Sequence, residues 1–165
     1  MPKTVVGVMG PGSGASEADC ERANELGCEI ARAGWVLLSG GRDEGVMDAA
    51  SRGAKRKGGL TVGILPSIDT TGMSQFIDIP IVTGMGQARN NINVLSSQVV
   101  FVCGMGPGTA SEAALALKAG RHVVLLEAGA DADRFFTTLD PKKAHVVASV
   151  REAVDVARHL LDSLV

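Results

Sequence analysis

The segment from Arg89 to Glu112 constrains the fold of this chain more than any other. Its centre, residues 99–103 (Val-Val-Phe-Val-Cys), is an uninterrupted apolar run, typical of a strand buried on both faces of a parallel sheet. A glycine-rich turn follows over 104–108, and Thr109 is expected to open an alanine-rich helix over 110–119. Backbone N–H groups at a helix start lack internal partners, and the helix dipole adds partial positive charge there. The segment therefore predicts an anion-binding site where the strand ends.

The rest of the chain alternates short apolar strands with helices. We expect strands over 4–9, 35–38, 60–65, 77–82, 99–103, 122–126 and 145–148, and Pro80 indicates that the fourth of them is irregular or edge-like. Capping boxes are expected where Ser16 is followed by Asp19 and where Ser149 is followed by Glu152, and the last helix is expected to end near residue 164. Strands separated by helices of about ten to fifteen residues require crossover connections, and such connections produce parallel sheets. The chain is therefore predicted to form one α/β domain over 1–165, with a doubly wound, mostly parallel, seven-stranded sheet and helices on both faces.

Four glycine-bearing loops follow predicted strands at one end of this sheet, over 10–14, 40–45, 84–86 and 104–108. Parallel sheets bind ligands beyond the carboxyl ends of their strands, so we expect these loops to share one pocket. A polar loop over 67–75 is expected to help enclose the ligand. The candidate contacts from these loops are Gly10, Gly12, Ser39, Gly40, Gly41, Arg42, Asp69, Gly104, Met105, Gly106, Gly108 and Thr109. Arg42 offers a bidentate fork for phosphate, although it could equally belong to a plain turn.

Two charged residues, Arg89 and Glu112, complete the candidate site. A cation in the first turn of the helix predicted over 89–96 opposes the helix dipole by about 0.3–1 kcal/mol, which favours a nearby anion. The alternative for Arg89 is an ion pair with Glu112 or Asp78. Glu112 also has a structural alternative, because Thr109 at the N-cap and Glu112 at N3 would form a capping box without any chemistry.

Composition excludes several other classes of function. A net charge of −2 without a basic run argues against nucleic-acid binding, and no apolar run reaches membrane-spanning length. The cysteines and histidines lack metal-ligand spacing, so we expect no metal site and reduced thiols in a cytoplasmic protein: Cys20, Cys28, Cys103, His122, His145 and His159. Neither a P-loop nor a strict G-x-G-x-x-G is present, which argues against ATP cleavage and NAD binding.

Residues 104–112, preceded by Arg89, resemble the P-G-G-x-G-T-x-x-E signature of the LONELY GUY family of nucleoside 5′-monophosphate phosphoribohydrolases, also called lysine-decarboxylase-like proteins. Residues 39–47 resemble that family's second glycine-rich loop. The resemblance implies that Gly106, Gly108 and Thr109 hold the phosphate. It also implies that Arg89 and Glu112, as catalytic residues, assist cleavage of the N-glycosidic bond.

A second resemblance covers nearly the whole chain. It rests on the segments VMGPG, GW-LLSGGR-EGVMDAA, GILPSIDT, IDIPIVTGMGQARNNIN-LSS and GMGPGTASE-ALALKAG. These are similar to the molybdenum-cofactor carrier proteins of green algae and their bacterial relatives. The resemblance implies a Rossmann-like homo-oligomer, a tetramer or dimer, that binds and protects the molybdenum cofactor (Mo-molybdopterin, Moco). A carrier has no catalytic residues, and molybdoenzyme apoproteins are its candidate recipients. The alternatives are the phosphoribohydrolase and a regulatory nucleotide-binding module.

Overall fold

The computed structural model describes residues 2–163 and contains a seven-stranded sheet in the order β4-β3-β2-β1-β5-β6-β7. Every pair of neighbouring strands is parallel. The strands are β1 Val5–Met9, β2 Val36–Ser39, β3 Thr61–Leu65, β4 Ile79–Val82, β5 Val99–Cys103, β6 His122–Leu126 and β7 Ala144–Val147. The predicted α/β, doubly wound, Rossmann-like architecture is confirmed.

Helices cover both faces of the sheet and divide the core into two layers. They are α1 Glu17–Arg32, α2 Gly45–Arg56, α3 Asn90–Leu95, α4 Pro107–Lys118, α5 Ala130–Leu139 and α6 Val150–Asp162, with a short 3-10 helix over Gly86–Arg89. Apolar residues of α1, α2 and α6 pack on one face of the sheet. Those of α3, α4 and α5 pack on the other. No helix of the described chain is both long and apolar enough to cross a membrane.

The order of the strands reverses between β1 and β5. From β1 the chain proceeds outward through β2 and β3 to the edge strand β4, then returns to place β5 on the other side of β1. Met9 and Val102 are neighbours across the β1–β5 pair, so both strands end at the same level. The loops that follow β1 and β5 therefore diverge to opposite faces of the sheet and leave a crevice between them.

Local signals explain several element boundaries. Ser16 caps α1 in a full capping box, in which its Oγ accepts from Asp19 N at 3.1 Å and its N donates to the Asp19 carboxylate at 3.0 Å. The capping box predicted for α6 is incomplete, because Glu152 accepts from Ala148 N rather than from the N–H of Ser149. Its predicted end near residue 164 lies outside the described residues. Pro80 lies in β4 at the sheet edge, as its missing N–H requires.

Candidate functional site

A cavity of about 620 Å³ opens at the switch point of the sheet, beyond the ends of β1, β2 and β5. The loop over 10–14 forms one wall, and residues 105–109, which include the start of α4, form the opposite wall. Arg89 and Glu112 lie at its inner side, where both side chains are almost completely buried. Most of the predicted ligand contacts line this cavity, namely Gly10, Gly12, Arg42, Arg89, Met105, Gly106, Gly108, Thr109 and Glu112.

The other predicted contacts do not line the cavity, and most of them lie behind its wall. The Oγ of the fully buried Ser39 accepts from the N–H of Gly41 at 3.1 Å, which shapes the turn after β2. Gly40 lies directly behind Arg89, and a Cβ there would approach the Arg89 Nη2 to 2.9 Å. Gly104 has a φ of +75° and lies against the carboxylate of Asp19. Most of these residues shape or support the wall.

Asp69 lies in an exposed part of the loop after β3, apart from the lining of the cavity. Its carboxylate accepts from the N–H of Thr71 at 2.9 Å, a local turn that lowers the pKa of Asp69. The loop over 67–75, which was expected to help enclose the ligand, does not line this cavity. The loop instead packs toward the second glycine loop, through an antiparallel bridge between Arg42 and Met73.

Eight residues that line the cavity are not among the predicted contacts: Pro11, Ser13, Gly14, Glu44, Met47, Gln87, Asn90 and Pro107. Of these, Met47, Gln87 and Asn90 also lie outside the predicted glycine loops. Glu44 and Met47 belong to the loop after β2 and to the first turn of α2, which Gly45 redirects with a φ of +51°. Gln87 and Asn90 flank Arg89. In the sequence these residues are marked only by their closeness to predicted contacts. Their position in the cavity depends on the tertiary structure.

The start of α4 differs from its prediction. The helix begins at Pro107 with Gly106 as its N-cap, and no side chain caps it. Proline is favoured at the first helical position, because its fixed φ suits a helix and its missing N–H is not needed there. The capping box of Thr109 with Glu112 is therefore wrong. Both residues lie inside the helix, three positions apart on one face, and both line the cavity.

Thr109 supplies a buried polar group at this helix start. It is only 2% exposed, and its Oγ1 has no hydrogen-bond partner among the described residues. The N–H groups of Gly108 and Thr109 belong to the first turn of α4, where no intrahelical acceptor exists. A buried hydroxyl without a partner costs free energy. An oxyanion in the cavity would accept from this hydroxyl and from both N–H groups.

Arg89 ends the 3-10 helix and is only 6% exposed. Its guanidinium donates to Asn90 Oδ1 and, at 3.5 Å, to the carbonyl oxygen of Gly40, whereas its Nε is unpartnered in the described chain. Burial lowers the pKa of Arg89, although an arginine stays charged at neutral pH. This is a buried cation beside a cavity.

Both ion pairs considered for Arg89 are wrong. The carboxylate of Asp78 instead binds Lys55 at 2.6 Å. The carboxylate of Glu112 has no basic nitrogen within 4.0 Å anywhere in residues 2–163. Arg89 therefore has a hydrogen-bonded position but no acidic partner, and its charge is available to an anion in the cavity.

Glu112 is a buried carboxyl group, only 7% exposed. Its Oε1 accepts from the Asn93 amide at 2.8 Å, and the Asn93 Oδ1 has no partner within the described part of the chain. Burial raises the pKa of Glu112 to about 7, although the Asn93 hydrogen bond and the Arg89 charge act in the opposite direction. The group can thus exist in either protonation state at neutral pH.

Arg42 reaches the outer part of the cavity, where its Nη2 lies 3.1 Å from the Glu44 carboxylate. Both side chains of this ion pair are partly exposed, so a ligand can compete for Arg42 at modest cost.

Cys103 and the two strand histidines lie outside the cavity lining. Burial raises the pKa of the Cys103 thiol to about 12, so the group is a neutral thiol. His122 and His145 contact each other across β6 and β7, with their Nδ1 and Nε2 atoms 3.0 Å apart. Burial lowers the pKa of both imidazoles.

A doubly wound sheet whose switch-point crevice combines a helix start with a buried arginine is typical of Rossmann-like proteins that bind phosphate-bearing small molecules. The chain belongs to the SLOG cluster4 family, whose model matches residues 3–154.

Solved structures match nearly the full length of the chain. The molybdenum cofactor binding protein of the phototrophic bacterium Rippkaea orientalis is 48% identical, with a TM-score of 0.96 and coverage of 98% of this chain and 99% of that one. The molybdenum cofactor carrier protein of Chlamydomonas reinhardtii is 53% identical, with a TM-score of 0.94 and the same coverage. An uncharacterized protein of Archaeoglobus fulgidus is 46% identical over 122 residues, 74% of this chain and 79% of that protein. The resemblance to carrier proteins is confirmed.

Proposed function

We propose that this protein binds, protects and carries the molybdenum cofactor without transforming it. The observation that supports this function best is the full-length similarity, at 48% and 53% identity, to two proteins named for binding or carrying that cofactor. No local motif alone would distinguish a carrier from an enzyme of the same superfamily.

The cavity suits such a cargo in size and in charge. Its volume of about 620 Å³ lies within the range of about 300–1,000 Å³ usual for small-molecule sites. Moco carries a terminal phosphate and an anionic metal-oxo group. We propose that the phosphate binds at the start of α4, on the N–H groups of residues 108 and 109 and on the Thr109 hydroxyl, with Arg89 as counter-charge. The loop over 10–14 and the cavity-lining residues Glu44 and Met47 then enclose the remainder, with Arg42 at the outer end.

A carrier must bind its cargo without catalysing a reaction of it, so the two charged residues of the cavity bear on the choice of function. One observation favours the alternative, a phosphoribohydrolase of the LONELY GUY type. Arg89 and Glu112 line the same cavity, and a carboxyl group with a pKa of about 7 suits general acid–base chemistry at neutral pH. The Asn93 amide of α3 donates to one carboxyl oxygen of Glu112, so that oxygen already has a hydrogen-bond partner.

One pair of assays separates the two functions. Purified protein is incubated with nucleoside 5′-monophosphates, and release of free base is followed for wild type and Glu112→Gln. In parallel, Moco is incubated in air with the protein, and its remaining activity is measured by reconstitution of an apo-molybdoenzyme.

A carrier prolongs the survival of Moco and releases no base. The matched control is Arg151→Met, which removes an exposed arginine of α6 and should protect as wild type does, whereas Arg89→Met should protect less. Steady release of base that Glu112→Gln abolishes would establish the enzyme instead. Tight nucleotide binding without either effect would indicate a regulatory nucleotide-binding module.

We further propose that the protein is a cytoplasmic homo-oligomer, a dimer or tetramer, that delivers its cargo to molybdoenzyme apoproteins. The surface around the 3-10 helix and α3 supports this assembly, since Met85 and Leu95 are about half exposed there and an apolar groove runs between α3 and α4. Light scattering on the purified protein tests it, and a strictly monomeric mass would contradict it.

A further inference from the structure

Among the described residues Glu112 is a buried carboxyl group without a cationic partner, an arrangement that the proposed function leaves unexplained. Buried charges in proteins are normally paired, because an isolated carboxylate loses far more hydration energy than one hydrogen bond returns. Glu112 receives one hydrogen bond, from Asn93, and no basic nitrogen of the described chain lies within 4.0 Å of it. Geometry therefore favours the neutral carboxylic acid.

The groups that face Glu112 from neighbouring elements do not change this conclusion. Arg89, at the start of α3, acts on it only over a distance, and Arg42 lies farther out in an ion pair with Glu44. Burial outweighs the Arg89 charge and raises the pKa of Glu112 to about 7.

The strands behind α4 contribute no further charge near the cavity. Their titratable groups are Cys103 of β5, a neutral thiol, and His122, which lies at the opposite end of β6. Lys118 lies in the last turn of α4, also far from the cavity.

Two of the residues that line the cavity with Glu112, Thr109 and Arg89, also carry an unpartnered polar atom among the described residues. The Thr109 Oγ1 lies on the same face of α4, and the Asn93 Oδ1 and the Arg89 Nε also lack partners within residues 2–163. For Thr109 and Arg89, which line the cavity, a ligand or a water can supply the missing hydrogen bond, whereas Asn93 lies outside the cavity lining. A neutral Glu112 is itself a further donor among them, because a carboxylic acid carries one O–H.

We propose that Glu112 contacts the bound cargo as a neutral carboxylic acid that donates its O–H to an anionic oxygen of the ligand. This inference rests on the proposed function, in that the ligand is an oxyanion at the start of α4. The proton comes from solvent and stays bonded to Glu112, so no group transfer occurs. Above neutral pH, Glu112 is a carboxylate in the protein without ligand. Binding of the anion is then accompanied by the uptake of one proton.

The consequence is a cargo affinity that falls as pH rises. A bound anion raises the pKa of Glu112 further, so the protonated protein binds more tightly than the deprotonated one. With a free pKa of about 7, the affinity is near its maximum at pH 5.5 and falls by up to about 30-fold at pH 8.5. Such a carrier would hold its cargo in mildly acidic surroundings and release it more readily in basic ones.

Isothermal titration calorimetry with sulfate tests this pH dependence of the affinity. Sulfate keeps its charge over that pH range, so any change in affinity or in proton uptake comes from the protein. Wild type should bind more weakly at pH 8.5, and in two buffers of different ionisation enthalpy it should show proton uptake. Glu112→Gln keeps a donor of the same shape and cannot titrate. It should bind at every pH about as tightly as wild type does at pH 5.5, without proton uptake.

Glu25→Gln is the control, since it removes an exposed carboxyl group of α1 that does not line the cavity. It should keep the pH dependence. Equal sulfate affinity of wild type at both pH values, a Glu112→Gln variant that retains the slope, or one that binds weakly throughout would each overturn the role of Glu112. The first of these outcomes would leave the anion site of the proposed function intact, whereas absence of sulfate binding at every pH would overturn both.

Discussion

Replacement of Arg89 by methionine should weaken anion binding strongly and leave the fold as stable as before or more so. Arg89 is 6% exposed and has no acidic partner in the part of the chain that the structure describes, so the folded protein bears the cost of burying its charge without an ion pair. Methionine keeps most of the apolar stem and removes that cost. The lost hydrogen bonds, to Asn90 and to the Gly40 carbonyl, come from a charged donor, so they are worth about 1.5–3 kcal/mol each and offset much of the gain.

The effect on affinity follows from the contact that the cation would make. A hydrogen bond to a charged group contributes about 1.5–3 kcal/mol, which corresponds to a loss of about 10- to 150-fold in sulfate affinity at pH 6. Calorimetry measures the affinity, and urea unfolding measures the free energy of unfolding. Arg151→Met, which removes the same charge from an exposed position, should change neither substantially.

The reasoning is refuted by the opposite pattern. A loss of stability above about 2 kcal/mol with sulfate affinity unchanged would show that Arg89 is a structural residue whose contacts to Asn90 and Gly40 hold the loops together. A matching loss of affinity in Arg151→Met would show that binding depends on net charge alone.

Three further predictions concern single positions. Thr109→Val removes a buried hydroxyl without a partner, so urea unfolding should show a stability that is unchanged or raised by about 1 kcal/mol, whereas calorimetry should show weaker sulfate binding. Gly45→Ala should cost at least about 2 kcal/mol in the free energy of unfolding, because its φ is +51° and a Cβ would lie 2.2 Å from the Gly12 carbonyl oxygen; Gly14→Ala, with open space around it, is the control and should cost much less. Burial raises the pKa of Glu112 from the ordinary 4.5 to about 7, so between these pH values the folded state keeps a proton that the unfolded state releases. The free energy of unfolding should therefore fall by about 3 kcal/mol as pH rises from 4.5 to 8. Urea unfolding should show this fall in wild type and not in Glu112→Gln.

Much of the fold follows from local patterns in the chain. The apolar run over 99–103 and the alternation of strands with helices predicted a parallel sheet with helices on both faces, and the structure contains one. The capping box at Ser16 and the edge position of Pro80 were also predicted correctly. These features depend on neighbours within a few residues, where propensity and hydrogen bonding act directly.

The candidate site was less predictable, because it depends on contacts between distant segments. The capping box of Thr109 with Glu112 matched the consensus in spacing, yet Pro107 starts the helix three residues earlier than predicted. The ion pair of Arg89 with Asp78 was plausible in charge, yet Lys55 occupies that carboxylate from α2. Glu44 and Met47 enter the cavity because Gly45 redirects the chain there, a conformation that the residue type permits but does not require.

The amino-acid sequence by itself determined the class of fold, the end of the sheet where a ligand would bind, and the resemblance to cofactor carriers. Strand periodicity, glycine turns and helix starts are local properties, because each depends on residues that are close together in the chain. Only the tertiary structure decided which polar groups lack a partner. Within residues 2–163, Arg89 is left without an acid, the Thr109 hydroxyl without a hydrogen-bond partner and Glu112 without a cation, because pairing depends on how α3, α4 and the loop after β2 pack together. Burial sets the charge of Glu112, and burial is a property of the whole fold.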